Sequence, residues 1–138
     1  MADVNDWNAK IIDEFRSNAG KVAGPFEGAP LLLLHHRGAK TGKERVNPMM
    51  YQAVGGAYAV FASKAGAPTH PDWYHNLRAH PDVTIEVGTE TKAVRARVAE
   101  GDERETIWTT QKSRYPTFAD YEAKTSRQIP VIILEPVR

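Results

Sequence analysis

Short apolar stretches, most of them joined to the next by a tight glycine turn and not by a helix, favour antiparallel pairing in this chain. Gly55 and Gly56 stand between residues 44–54 and 57–63. Two adjacent glycines, both free to take positive φ, mark a two-residue hairpin turn. Gly88 has the same place between residues 83–87 (VTIEV) and 91–99 (TKAVRARVA), both of which alternate apolar and polar side chains. The turn RGAKTGK, with Gly38 and Gly42, joins residues 30–36 to 44–54. A parallel crossover needs about a dozen residues or more, and none of these links is that long. A last strand over 130–135 brings the count to six, and Pro48 marks the second strand as bent or as a sheet edge. The pattern predicts an α+β fold that is mainly β: a six-stranded antiparallel sheet curled into a small barrel, with three or four helices packed outside.

Helical segments lie at the ends and in the links. Val4, Trp7, Ile11, Ile12 and Phe15 recur at three- and four-residue spacing, so residues 4–18 form one apolar stripe, capped by Asp3 or Asn5. Three roles are open to this helix: docking on the domain, covering a pocket, or touching a membrane surface. Acids as well as bases on its polar face make an anchor for anionic lipid the weakest of the three. Residues 20–30, rich in Gly, Ala and Pro, read as a connector. Pro71 opens a short helix over 72–80 that stops before Pro81. Gly101 and Asp102 cap a helix over 103–114, Pro116 breaks it, and a second helical piece follows over 117–125.

A chain of 138 residues fits one domain with a core large enough to fold without staples. It contains no cysteine, which excludes disulfides, iron–sulfur clusters, thiolate zinc sites and a cysteine nucleophile, and fits a reducing cytoplasm. The net charge of +1 argues against a nucleic-acid partner. The first ten residues are acidic and polar, unlike a secretory signal, and the longest apolar run, Leu31 to Leu34, falls far short of the roughly 20 residues of a membrane span.

Two polar clusters, GAKTGKERVNP and ASKAGAPTHPDWYHNLR, hold Lys40, Lys43, Arg45, Lys64 and Arg78, with Arg37 just ahead of the first. Cationic, glycine-punctuated turns of this kind gather N–H groups and fixed charges on phosphate or carboxylate oxygens. GAKTGKE is not a Walker loop: three residues separate the glycines and Glu44 follows Lys43 where Ser or Thr would serve magnesium. Either Lys40, Thr41 and Arg45 face an anionic ligand, or the segment is a solvated hairpin turn. His70, His75 and His80 are five residues apart, which turns successive side chains by about 140° on a helix, so they do not form a metal face. His35 and His36, adjacent in a strand, point to opposite faces. Ser63 beside Lys64 and Gly66 either donates to a ligand carbonyl or ends a strand. Trp73 and Tyr74 either stack a ring or fill the core. Tyr115, Phe118 and Tyr121 share one face of a helical turn and either wall a pocket or pack.

In order along the chain, GAKTGKERVNP, ASKAGAPTHPDWYHNLRAHPDV, RYPTFADY and IPVIILEP resemble the deazaflavin-dependent nitroreductase family of actinobacteria. The resemblance runs from about Pro30 to Pro136. It implies a split β-barrel that uses coenzyme F420, a deazaflavin with a tricyclic ring, a phosphodiester and a glutamate tail. Carried over by position, the coenzyme contacts fall on Ala39, Lys40 and Thr41; on Arg45, Val46, Asn47, Pro48, Met49 and Met50; on Phe61, Ala62, Ser63 and Lys64; and on Asp72, Trp73, Tyr74, His75 and Asn76, with Phe118 beside the ring. Lys40, Arg45 and Lys64 would hold the anionic tail.

The implied activity is hydride transfer from reduced coenzyme to an electron-poor acceptor: a quinone, an enone or unsaturated lactone, or a nitroaromatic. Ser63, Tyr115 and Tyr121 are the implied proton donors or orienting groups. Met50 and Phe118 stand where nitroreducing relatives tend to carry tyrosines; the two missing hydroxyls point away from nitroimidazoles and toward quinones or lactones. Two alternatives stay open: an oxidoreductase using flavin mononucleotide on the same fold, and a non-catalytic carrier of coenzyme or lipid. Related barrels often pair, so a homodimer is also expected.

Overall fold

A computed structural model describes residues 4–18, 30–39, 41–67 and 69–137. Asp3, Lys40 and most of the connector over 20–30 lie outside the described residues, as do the side chains of Val4 and Trp7. The elements follow in the order α1 (Val4–Ser17), β1 (Leu31–Arg37), β2 (Glu44–Met50), β3 (Gln52–Val54), β4 (Ala57–Phe61), a 3-10 turn (Lys64–Gly66), α2 (Asp72–Ala79), β5 (Asp82–Val87), β6 (Glu90–Val98), α3 (Gly101–Arg114), α4 (Thr117–Lys124) and β7 (Val131–Pro136).

All strand pairs are antiparallel, in the order β2-β1-β5-β6-β7-β4-β3. The sheet therefore begins and ends on strands that are neighbours in sequence, separated only by Tyr51. That arrangement curls it. Seven strands replace the predicted six because residues 44–54 divide. Through Met50 they pair with β1; Tyr51 donates its N–H to Pro30 O at 3.1 Å, where β1 runs out; from Gln52 they pair with β4. The break is thus at Tyr51 and not at Pro48, which pairs in register with Leu33 on the sheet's edge strand. There a missing N–H costs no ladder bond. Gly55 and Gly56 both take positive φ, 53° and 87°, as the hairpin they form demands. Helix α3 starts at Gly101 with Glu100 as its cap, two residues before the predicted start.

Three apolar clusters coat the two faces of the sheet. Leu32 and Leu34 point inward with Val60, Ile85, Val94, Ile132 and Leu134, and α2 closes that interior with Tyr74 and Leu77. Leu31 and Leu33 face outward against Ile11 and Phe15 of α1. Val131 and Ile133 face outward against Ile107 and Trp108 of α3 and Phe118 of α4. A strand covered on both faces needs apolar side chains at every position. Hence the unbroken runs in β1 and β7, while β5 and β6 keep their alternation. Each fully buried Leu or Ile contributes about 1.5–3 kcal/mol, so α1 and α3 are docked by the strands beneath them.

Candidate functional site

Strand β2 is an edge, and the ground beside it stays open between α1 and the start of α2. Register with β1 places Asn47 opposite Leu34 and Arg45 opposite His36, so Arg45, Asn47 and His36 share the inward side, while Val46 packs toward α1. The resulting cleft, about 690 Å³, is lined by Ala9 and Ile12 of α1, by His36, Lys43, Arg45, Val46 and Asn47, by Lys64, and by Pro71, Asp72 and Trp73. A second recess of about 370 Å³ shares Arg45 and Asp72 with it and is lined further by Gly38, Ala39, Thr41, His75 and Asn76.

Two segments, the start of β2 and the turn after β4, thus bring Lys43, Arg45 and Lys64 to one cleft, where Asp72 is the carboxylate among the described lining residues. The start of α2 borders the same space, and a helix N-terminus adds a partial positive charge. The loop between β1 and β2 is closed by Gly38 N–H to Lys43 O and Gly42 N–H to Gly38 O, both 2.9 Å. Gly42 takes φ +69°, which a side chain would strain.

A polar relay runs beneath the cleft. Ala39 N–H donates to Asn76 Oδ1 at 2.9 Å, Asn76 Nδ2 lies 3.0 Å from His36 Nδ1, and His36 Nε2 lies 2.6 Å from Asn47 Oδ1. His36 is only 2 % exposed, and its burial holds the imidazole below its usual pKa. On the opposite side of β1, His35 Nε2 meets Glu86 at 2.6 Å, and Glu86 takes a two-pronged contact from Arg16 of α1 at 3.1 and 2.7 Å. Those partners hold the Glu86 carboxyl below its ordinary range, the Arg16 hydrogen bonds most strongly.

The segment after β4 is clamped by Arg127. Its guanidinium donates to Ala67 O at 3.0 Å, Ala62 O at 3.1 Å and Ser63 O at 2.8 Å, and Nη1 lies 2.9 Å from His70 Nδ1. Within that segment Lys64 takes φ +47°, unusual for a side-chain-bearing residue and a store of local strain. Its Nζ donates to Thr69 Oγ1 at 3.3 Å.

Of the residues singled out in the sequence, Ala39, Thr41, Arg45, Val46, Asn47, Lys64, Asp72, Trp73, His75 and Asn76 line the cleft or its recess. Lys40 is outside the described residues. Met49, Ala62 and Tyr74 belong to the barrel interior, Tyr74 lying 4.7 Å from the His70 ring, and Pro48 sits in β2. Ser63 is buried beside its clamped carbonyl. Met50, Phe61, Tyr115, Phe118 and Tyr121 gather around one apolar cluster with Trp108. There the Phe118 ring meets Phe61 at 5.6 Å and Tyr121 at 5.5 Å.

His36, Ala9, Ile12 and Arg127 were not among the expected site residues. For His36 a signal existed: a polar residue continuing the inward row of Leu32 and Leu34 must find partners. For Arg127 none did, because its acceptors are 60 to 65 positions away. Arg37 borders a different hollow with His35 and Asp82, and the Arg78 guanidinium lies over the Tyr74 ring at 5.7 Å.

The curled antiparallel sheet with its outer helices and edge-strand cleft defines the split-barrel class. Within it, residues 7–136 match the family model described as F420H(2)-dependent quinone reductase, and the chain belongs to that family. An F420H(2)-dependent quinone reductase of Mycobacterium tuberculosis is 38 % identical over 124 residues, covering 87 % of this chain and 83 % of that protein. A solved F420-H2 dependent reductase, FDR-A, is 44 % identical over 77 % of this chain and 94 % of its own, with a TM-score of 0.70. A chain solved as a domain-swapped dimer is 38 % identical over 96 % of this chain and all of its own, with a TM-score of 0.72. At 18 % identity and a TM-score of 0.59, HutZ, the heme storage protein from Vibrio cholerae, shares the fold alone.

Proposed function

We propose that this protein is a reductase that passes a hydride from reduced coenzyme F420 to a quinone. The convergence of Lys43, Arg45 and Lys64 on one cleft carries the reading. The residues present suit a ligand with an anionic tail: among the described lining residues three cations face one carboxylate, with a helix start alongside. Family membership and the named activity of the relatives support the same assignment.

The coenzyme, when bound, supplies the hydride. Everything else falls to the chain. Lys43, Arg45 and Lys64 bind the anionic portion, while Val46, Trp73 and Ile12 provide apolar walls that exclude water. The quinone that accepts a hydride becomes an anion and needs one proton to complete the hydroquinone. Ser63 Oγ, Tyr115 Oη and Tyr121 Oη are the proposed groups that orient the acceptor or donate that proton. No residue acts as a nucleophile, so loss of one hydroxyl lowers turnover by degrees. The cysteine-free chain suits the cytoplasm, and among the described residues no helix is long and apolar enough to cross a membrane. We further expect the 138 residues to work as one coenzyme-binding domain and two copies to associate, as in the domain-swapped relative.

The test is binding and turnover with purified protein. Coenzyme F420 should bind and, once reduced, should be consumed with menadione. Arg45→Ala should weaken coenzyme binding by about tenfold to a hundredfold, the loss of one charge-assisted contact. Tight binding of flavin mononucleotide with none of coenzyme F420 would overturn the assignment. Binding without turnover of any quinone would leave a carrier instead.

A further inference from the structure

His36 is the most deeply buried titratable group beside the cleft, and its protonation can be deduced from its neighbours. The Ala39 main-chain N–H can only donate, so the Asn76 atom 2.9 Å from it must be the carbonyl oxygen Oδ1. The Asn76 amino nitrogen then lies 3.0 Å from His36 Nδ1. An amide nitrogen has no lone pair to offer, so Nδ1 must be the acceptor and carry no proton. The neutral ring keeps its hydrogen on Nε2, which donates to Asn47 Oδ1 at 2.6 Å. That contact in turn orients Asn47: its oxygen faces inward, and its amino group is left for the cleft the residue lines. One backbone N–H thus settles three assignments, two amide orientations and one tautomer, that X-ray density seldom distinguishes.

We propose that His36 is a positioning residue: as the Nε2–H tautomer it holds the Asn47 carboxamide so that Nδ2 presents a hydrogen-bond donor to a carbonyl or phosphate oxygen of the bound coenzyme. The same relay ties the loop after β1 to α2 through Ala39 and Asn76, so two walls of the cleft move as one. The proposal rests on the coenzyme reading above. Burial keeps the ring neutral, and the nearby Arg45 charge acts in the same direction. A protonated ring would set two donors, Nδ1–H and the Asn76 amino group, against each other.

The experiment has two independent parts. Nitrogen-15 NMR of the free protein at neutral pH should show His36 with Nε2 protonated and Nδ1 bare; an Nδ1–H tautomer or an imidazolium overturns the deduction whatever the ligand is. Titration with oxidised coenzyme F420 should then shift the Asn47 side-chain amide resonances. Coenzyme affinity should fall about tenfold in Asn47→Ser and in His36→Leu, as expected when one well-placed hydrogen bond to a ligand is lost. His36→Gln, which can still donate to Asn47, should recover part of it. A purely structural role predicts a lower melting temperature with unmoved Asn47 amide resonances and unchanged affinity in Asn47→Ser; that result refutes the proposal. Wild-type protein that ignores the coenzyme refutes the functional reading and the ligand half of this one, while the tautomer result, measured without ligand, stands separately.

Discussion

Replacing Arg127 by methionine should loosen the whole segment that carries Ser63 and Lys64. Methionine keeps most of the stem and removes only the guanidinium, which makes contacts at 3.0, 3.1, 2.8 and 2.9 Å to Ala67 O, Ala62 O, Ser63 O and His70 Nδ1. Hydrogen bonds from a charged donor contribute ~1.5–3 kcal/mol each, a nominal ~6–12 for the four. The fork is only half-buried, so most of the freed acceptors regain water, and Ser63 O keeps its bond from Gly66 N–H at 2.9 Å. About a third of the nominal sum should survive as a net loss, ~2–4 kcal/mol. For a chain of this length that lowers Tm by roughly 5–15 °C. Urea and thermal unfolding followed by circular dichroism measure it, with coenzyme affinity recorded in parallel. Arg127→Lys keeps the charge but cannot bridge three carbonyls, so it should recover less than half of the loss. An Arg127→Met protein within ~0.5 kcal/mol of wild type, a typical surface-substitution effect, or a complete rescue by lysine, would refute the clamp.

Gly66→Ala should destabilise by about 2–4 kcal/mol, because the position has φ +81° and an added Cβ would lie 2.8 Å from Tyr121 O and 2.9 Å from Lys124 Cβ; equilibrium denaturation reads it. Stability should fall as pH drops below 6.5, the ordinary value for histidine: the folded state resists protonating His36 while the unfolded chain accepts the proton freely. His36→Gln should flatten that part of a stability–pH curve. A further loss should set in as pH falls through 4.5 and below, because Glu86 is held ionised by Arg16 and His35 in the fold; Glu86→Gln should reduce it, leaving the share of Glu122, which Trp108 and Lys112 hold ionised. Arg16→Ala should loosen α1 and raise its amide exchange at a stability cost of about 0.5–1 kcal/mol, since the pair is half-exposed on the arginine side.

The hairpins β1–β2, β3–β4 and β5–β6 were legible for a simple reason: glycine turns and alternation are local signals, and these strands pair with their neighbours in sequence. Gly55-Gly56 and Gly88 located two hairpins, and the runs at Leu31–Leu34 and Val131–Leu134 marked strands, whose coverage on both faces only the packing shows. The division at Tyr51 was not legible, because it depends on where β1 begins, next to Pro30, and on where β4 takes over the pairing, at Ala59.

Motif order singled out Arg45, Lys64, Asp72 and Asn76 as implied coenzyme contacts; the structure lines the cleft with the first three and the recess beside it with Asn76. The same order did not show that Met50, Phe61 and Phe118 would meet the two tyrosines in a cluster packed against Trp108.

Local order along the chain dictates which residues become strands and turns, and which cations stand ready in them. Curling the sheet then decides who meets whom. It brings Asn76 to His36 across 40 positions, Arg127 to Ala62 across 65, and Arg16 to Glu86 across 70. Contacts of that span leave no periodic trace in a sequence. They arise because most polar groups that the fold takes out of water find a partner, and which partner is nearest is a matter of closure and not of spacing.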